Sequence, residues 1–135
     1  MRNREKKEKK CLNCQNIIPN RNVFCNNVCQ TEHNYKSAID KWLRGESIMN
    51  EGSIKISNHI RKYLFEINDS KCNVCGWGEK NIRTNKVPLE VDHIDGDSQN
   101  NIITNLRLLC PNCHSLTNTW KNIGNRNSTR VNRKK

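Results

Sequence analysis

The chain has little of the material that builds an ordinary core. Of its 135 residues, 33% are hydrophobic and 5% aromatic. So thin an apolar complement excludes a large self-sufficient core, and small domains in that position lean on disulfides or bound metals. By length the chain is one domain or two very small ones. No apolar run approaches the roughly 20 residues of a membrane helix. The opening segment MRNREKKEKK is charged throughout and holds no signal-peptide stretch. An intracellular, reducing location is the expectation.

What is present instead is cysteine, eight residues of it. In a reducing compartment paired cysteines read as metal sites. The segments CLNC, CNNVC, CNVC and CPNC all have chelate spacing. They form two sets: Cys11, Cys14, Cys25 and Cys29, then Cys72, Cys75, Cys110 and Cys113. Four thiolates suit a structural zinc, so two zinc ions are expected. An iron–sulfur cluster is the alternative for the second set. His33 is a candidate substitute ligand in the first, against the plainer reading of an exposed helix histidine. Zinc binding worth about 10–16 kcal/mol per site would compensate for the thin core. Both modules should then unfold under chelation.

The net charge of +11 is concentrated at the ends. Residues 1–10 hold six basic and two acidic groups, and residues 124–135 hold five basic groups and no acid. The body between is close to neutral. Lys/Arg tails attract phosphate backbones without reading sequence; solvated ends are the competing reading. Asparagine, at 23 residues, is read as AT-rich codon usage, so a single Asn counts only through its position.

Five segments follow. Residues 1–10 read as a basic flexible arm. Residues 11–45 read as a four-cysteine finger with a helix. Pro19-Asn20 marks a turn, and the helix starts after Phe24 with Asn26 or Asn27 as cap. Val28, Tyr35, Ile39 and Trp42/Leu43 recur at helical spacing, and Gly45 is the stop. Knuckle, turn and ligand-bearing helix resemble a treble-clef finger. Residues 46–70 hold a linker and an amphipathic helix with Ile56, Ile60, Tyr63/Leu64 and Ile67 on one face; Arg61 and Lys62 lie off that stripe. Residues 71–123 form the second module. Its CNVCGWG knuckle precedes a strand over Val87–Ile94, a loop over 95–101, and a short strand over Leu106–Leu109. A last helix opens at Pro111 and runs to about Trp120. Residues 124–135 are a basic tail. The fold class is a small, zinc-stabilised α+β protein.

The second module carries chemistry that a zinc clamp does not need. Asp92 offers a hard oxygen, and His114 an imidazole from the last helix. Such a mixed pair leaves positions open on a magnesium-, manganese- or nickel-like ion that stabilises charge on a scissile phosphate. His93 titrates near working pH and suits a general base. The Asn105 side-chain oxygen is the expected partner for its other ring nitrogen. Asp92 and His93 leave opposite faces of a regular strand, so a bulge or strand end is needed to turn both into one cleft. Asp95 and Asp97 read as turn formers, and His59 as an ordinary helix residue.

Taken together, Asp92-His93, Asn105, and His114 after a CxxC pair resemble the HNH endonuclease family, the ββα-metal nucleases. The resemblance covers residues 71 to about 123. It implies a ββα-metal module that hydrolyses DNA with one catalytic divalent ion, magnesium or manganese. On that resemblance Asp92 and His114 bind the ion, His93 is the base, Asn105 orients it, and Asn118 touches metal or phosphate. Cys72, Cys75, Cys110 and Cys113 match a structural zinc. The front half is similar, more loosely, to small phage- and intron-associated HNH proteins, which implies the cytoplasm of a bacterial or phage-infected cell. The chain departs from many relatives in two places. DGDSQNN replaces a Pro-x-Ser-x-Gly-Gly type loop, and Thr117 stands where a lysine is common. Both bear on phosphate contact and substrate preference.

The expected partner is double-stranded DNA, with no membrane; a homodimer or phage packaging machinery is left open. The competing class is a non-catalytic zinc-finger DNA-binding or packaging accessory protein, which has no need of the Asp92/His93/Asn105/His114 set. An RNA role is a third reading, without an evident base-stacking surface.

Overall fold

The computed structural model describes residues 8–46 and 56–122. Most of the basic arm and linker, and the whole basic tail, lie outside them. The finger begins at Lys9 rather than Cys11. Strand β1 (Lys9–Lys10) pairs antiparallel with β2 (Ile17–Ile18). Helix α1 (Asn27–Leu43) follows. Its cap is Asn26, whose side chain accepts from the Cys29 N–H at 2.9 Å. Its stop is Gly45 at φ +79. Gly45 N–H bonds Trp42 O and Glu46 N–H bonds Lys41 O, a Schellman closure that needs the left-handed residue.

The finger's own core is Cys11, Ile18 and Cys29, with Phe24 packed against them. Three side chains cannot outweigh the entropy of ordering this segment, so the finger depends on what its cysteines hold.

Helix α2 (Asn58–Ile67) is capped by Ser57. Ile60 and Leu64 are fully buried, whereas Ile67 is half exposed. The expected stripe therefore ends one turn early, and half-buried Phe65 packs on the core from the next face. Arg61 and Lys62 are exposed, and Lys62 pairs with Glu66.

Strands β3 (Glu90–His93) and β4 (Leu106–Leu109) form an antiparallel pair, with Glu90 opposite Leu109 and Asp92 opposite Arg107. The expected strand over Val87–Ile94 is thus shorter. Leu89 N–H bonds Val87 O around Pro88, which has no N–H for a ladder. Helix α3 (Pro111–Ser115) is also shorter than expected and stops well before Trp120. The Ser115 and Thr117 hydroxyls turn back onto the Asn112 and His114 carbonyls. Such local bonds, in a run with two β-branched threonines, favour a turn over another helical turn.

A second, larger core joins the two helices to the ββα unit among the described residues. Ile39 and Trp42 of α1 pack with Ile60 and Leu64 of α2, and with Leu106, Leu108 and Leu109 of β4. Each such side chain contributes about 1.5–3 kcal/mol on burial. The finger helix is thereby fixed to the ββα unit.

Candidate active site and metal sites

In each cysteine set the four sulfurs lie within 4.8 Å of one another. Measured pairs are 3.5 Å for Cys14–Cys25, 3.2 Å for Cys25–Cys29 and 3.7 Å for Cys75–Cys110. Tetrahedral zinc with Zn–S near ~2.3 Å sets sulfurs ~3.8 Å apart, and a disulfide needs ~2.05 Å. The arrangement fits a chelated ion.

The local chemistry agrees. The Cys14 N–H lowers Cys11 to about 6, outweighing its burial, with help from the Asn13 and Cys25 N–H groups. Burial raises Cys72, but the N–H groups of Cys75, Cys110 and Val74 outweigh it and bring it to about 6. By contrast, the Cys29 and Cys14 thiols push Cys25 up to about 12. The Cys75 and Cys110 thiols do the same to Cys113. Four crowded sulfurs cannot all ionise alone, and a divalent cation removes that conflict. His33 sits against Phe24, at 5.2 Å between ring centroids, and is not part of the first cluster.

Local sequence builds the second clamp. Gly76 at φ +74 closes the knuckle, with its N–H on Cys72 O. Asn73 acts as a short extra strand: its N–H bonds Leu108 O, and its side chain accepts from Leu108 N–H at 2.6 Å. Cys110 caps α3, so the helix carrying His114 starts at a clamp ligand.

On β3, Glu90 and Asp92 share one face by the two-residue period, and His114 reaches both. Its Nε2 is 3.7 Å from Asp92 Oδ1, and its Nδ1 is 2.6 Å from Glu90 Oε2. The Glu90 approach is close but misaligned for a hydrogen bond, and Nδ1 has no other partner among the described residues. Trp120 packs edge-on to the His114 ring at 4.8 Å. Asp92, 5% exposed, accepts from Arg107 Nε at 2.7 Å through Oδ2. The structure thus brings Asp92 and His114 together. Glu90 and Arg107 were not picked out from sequence. Glu90 was findable as the residue two before Asp92, and Arg107 only once the strand register is known. Asn118, outside the shortened helix, is exposed in the turn that follows.

His93 sits at the last position of β3, where the chain leaves the ladder. Its Nε2 is 2.9 Å from Asn101 Oδ1. The Asn101 amide nitrogen faces the Ser98 and Gln99 carbonyls at 3.4 and 3.3 Å, which assigns the oxygen to His93. The partner is therefore Asn101 and not Asn105. Asn105, 7% exposed, turns into the loop instead. Its amide donates to Asp95 Oδ1 and Asn100 O, both at 2.8 Å, and its oxygen accepts from Asp95 N–H at 3.1 Å. It lies one residue before β4, in a 3₁₀ turn at Ile103–Asn105, and so aims at the loop and not across the sheet.

Asp95 and Asp97 form turns, accepting from Asp97 and Gln99 N–H respectively. Gly96 at φ +78 approaches Thr119 so closely that a Cβ would lie 2.7 Å from its methyl group. Loop 95–101 is thus braced from below by Asn105 and from the side by the segment after α3.

A short antiparallel pair, a loop pinned by a buried Asn, and a helix returning a His to the strand's Asp form a ββα unit clamped by four cysteines. Residues 72–119 match the family model for HNH endonucleases. It is similar to the H-N-H endonuclease F-TflIV of Escherichia phage T5, 42% identical over 109 residues. That alignment covers 76% of this chain and 43% of the phage protein, so the chain spans less than half of that relative's length. No solved structure matches the chain. No helix among the described residues is long and apolar enough to cross a membrane.

Proposed function

We propose that the protein is a metal-dependent DNA endonuclease that hydrolyses phosphodiester bonds, nicking one strand or cutting both. The observation that carries it is the Asp92–His114 pair, with His93 next in sequence at the end of β3, on a matched HNH domain. The name of the phage T5 relative agrees in class.

Asp92 Oδ1 and His114 Nε2 supply an oxygen and a nitrogen donor for one divalent cation, magnesium or manganese. Bound there, such an ion supplies charge stabilisation for a scissile phosphate and its leaving oxygen. Arg107 holds the second Asp92 oxygen and fixes the carboxylate. Glu90 beside Nδ1 favours a proton on that nitrogen and leaves Nε2 as the donor atom.

His93 is the general base. Its Nε2–H donates to Asn101 Oδ1, which leaves the Nδ1 lone pair to take a proton from water. Asn105 acts on this geometry at one remove, by holding the loop that contains Asn101. Asn118, exposed past α3, is a candidate contact to metal or phosphate.

The eight cysteines hold two structural zinc ions, the first in a treble-clef-like finger that helps seat the module on duplex DNA. The basic tails add phosphate contacts that weaken with salt. The setting is the cytoplasm of a bacterial or phage-infected cell.

A second reading has one observation in its favour. The 2.7 Å Asp92–Arg107 pair is also what a purely structural Asp92 would make, as in a non-catalytic DNA-binding or packaging accessory protein. Cleavage of supercoiled plasmid by zinc-loaded protein, with and without divalent ion and beside His93→Ala, separates the two. Metal-dependent cleavage lost in the variant supports the nuclease. DNA binding without cleavage under every ion supports the accessory protein.

A further inference from the structure

The candidate base is tied to the N-terminal finger by a continuous path. Trp42, on the last turn of α1, donates its indole Nε1–H to the Asn101 carbonyl oxygen at 2.6 Å. Asn101 in turn receives His93 Nε2 on its side-chain oxygen at 2.9 Å. Fifty-nine residues separate Trp42 from Asn101 in sequence, so this bond joins two distant segments. We infer that Trp42 is a positioning residue for His93: the finger helix sets the base's orientation and tautomer by holding the Asn101 backbone.

Three further features support this. Trp42 is 8% exposed, and Tyr63 packs edge-on against its ring at 5.8 Å, so the donor is itself immobilised. α1 is closed at this point by the Gly45 turn, which fixes the axial place of Trp42. Next to the bond lies a cleft of about 300 Å³ lined by Trp42, Leu43, Ile60, Asn100, Asn101 and Ile102. Loop 99–102 therefore has room to shift if the indole bond is lost. Asn105 does not replace the bond, because it grips Asp95 and the Asn100 carbonyl and not Asn101. A finger that would otherwise serve only binding thereby also acts on the chemical step.

The inference rests on the nuclease reading for its kinetic test, and a second readout is independent of activity. Trp42→Phe keeps an aromatic ring and loses the donor. An isosteric replacement of Trp42 by benzothienylalanine keeps the shape and loses only the N–H. Both are made in the full chain with zinc bound, beside wild type and His93→Ala. Single-turnover cleavage of a plasmid substrate should fall about tenfold in both Trp42 variants, on the scale seen when a supporting hydrogen bond is removed. DNA affinity and zinc content of the benzothienylalanine protein should stay at wild-type values. Nitrogen-15 spectra of the His93 ring should show one Nε2–H tautomer in wild type and a mixture in the variants. Wild-type cleavage rates in the benzothienylalanine protein, or an unchanged His93 tautomer, overturn the inference. A His93→Ala protein that cleaves like wild type overturns the general-base role of His93 instead, and the ring spectra then still decide whether Trp42 positions His93.

Discussion

Asp92 Oδ1 faces His114 Nε2 at 3.7 Å while Asp92 Oδ2 is bonded to Arg107 at 2.7 Å. One oxygen of a buried carboxylate is committed to a cation of the protein, and the other is presented to an imidazole. His114→Ala should therefore abolish metal-dependent cleavage while sparing the cysteine clamp of Cys72, Cys75, Cys110 and Cys113, which does not include it. Titration with manganese, read by its paramagnetic effect on the variant, should show weakened binding of about 10-fold or more. Binding at wild-type strength would remove His114 from the site.

Arg107→Met leaves the Asp92 carboxylate buried without its counter-charge. Breaking a buried pair costs about 3–5 kcal/mol, and the low end applies because Arg107 itself keeps some exposure. Chemical denaturation of the zinc-loaded protein measures this. A loss under ~0.5 kcal/mol would mean the pair behaves as a surface one.

Asn105→Ala removes the two donors and the acceptor that pin loop 95–101. Cleavage should drop with zinc content unchanged, and stability should fall by about 1–3 kcal/mol for the unpaired groups left behind. Asp95 reports the change directly. The Asn100 amide, then the Asp97 N–H and the Asn105 amide, hold its carboxyl below the ordinary 3.8. A depressed value in the folded state means a contribution fully present above the ordinary value and lost as pH falls through the folded one. In Asn105→Ala the Asp95 midpoint should rise toward 3.8, as read from its side-chain carbon resonance. An unmoved midpoint would show that Asn105 does not act on this loop in solution.

Zinc content should be two ions per chain, falling to one in Cys72→Ser or Cys14→Ser. Loss of the second clamp should unfold the ββα unit, because Cys72 and Cys110 are part of its core. Circular dichroism on chelation checks this; a fold that persists without metal would contradict the proposed role of the cysteines.

The parts of this structure carried by local signals were readable in sequence. Chelate spacing gave both cysteine sets, and turn chemistry narrowed the cap to Asn26 or Asn27 and marked the Gly45 stop and loop 95–101. The Asp92–His114 pairing followed from the HNH resemblance. What was misread depended on partners far along the chain. Asn105 reads as the His93 partner because its amide type fits, but a 3₁₀ turn re-aims it, and Asn101 in the loop takes that place. Trp42 read as a core residue on helical spacing, and nothing local shows that its N–H reaches a loop 59 residues away. Helix α3 ended early because side-chain hydroxyls, and not apolar periodicity, decided its last turn.

The most direct test is cleavage of supercoiled plasmid by zinc-loaded protein with magnesium or manganese, wild type beside His93→Ala. Ion-dependent conversion to open-circle or linear DNA by wild type alone, with both proteins binding DNA equally, is the expected result. Equal cleavage by both proteins, or none by wild type with any divalent ion on DNA carrying a bound site, would contradict a nuclease that uses His93 as its base.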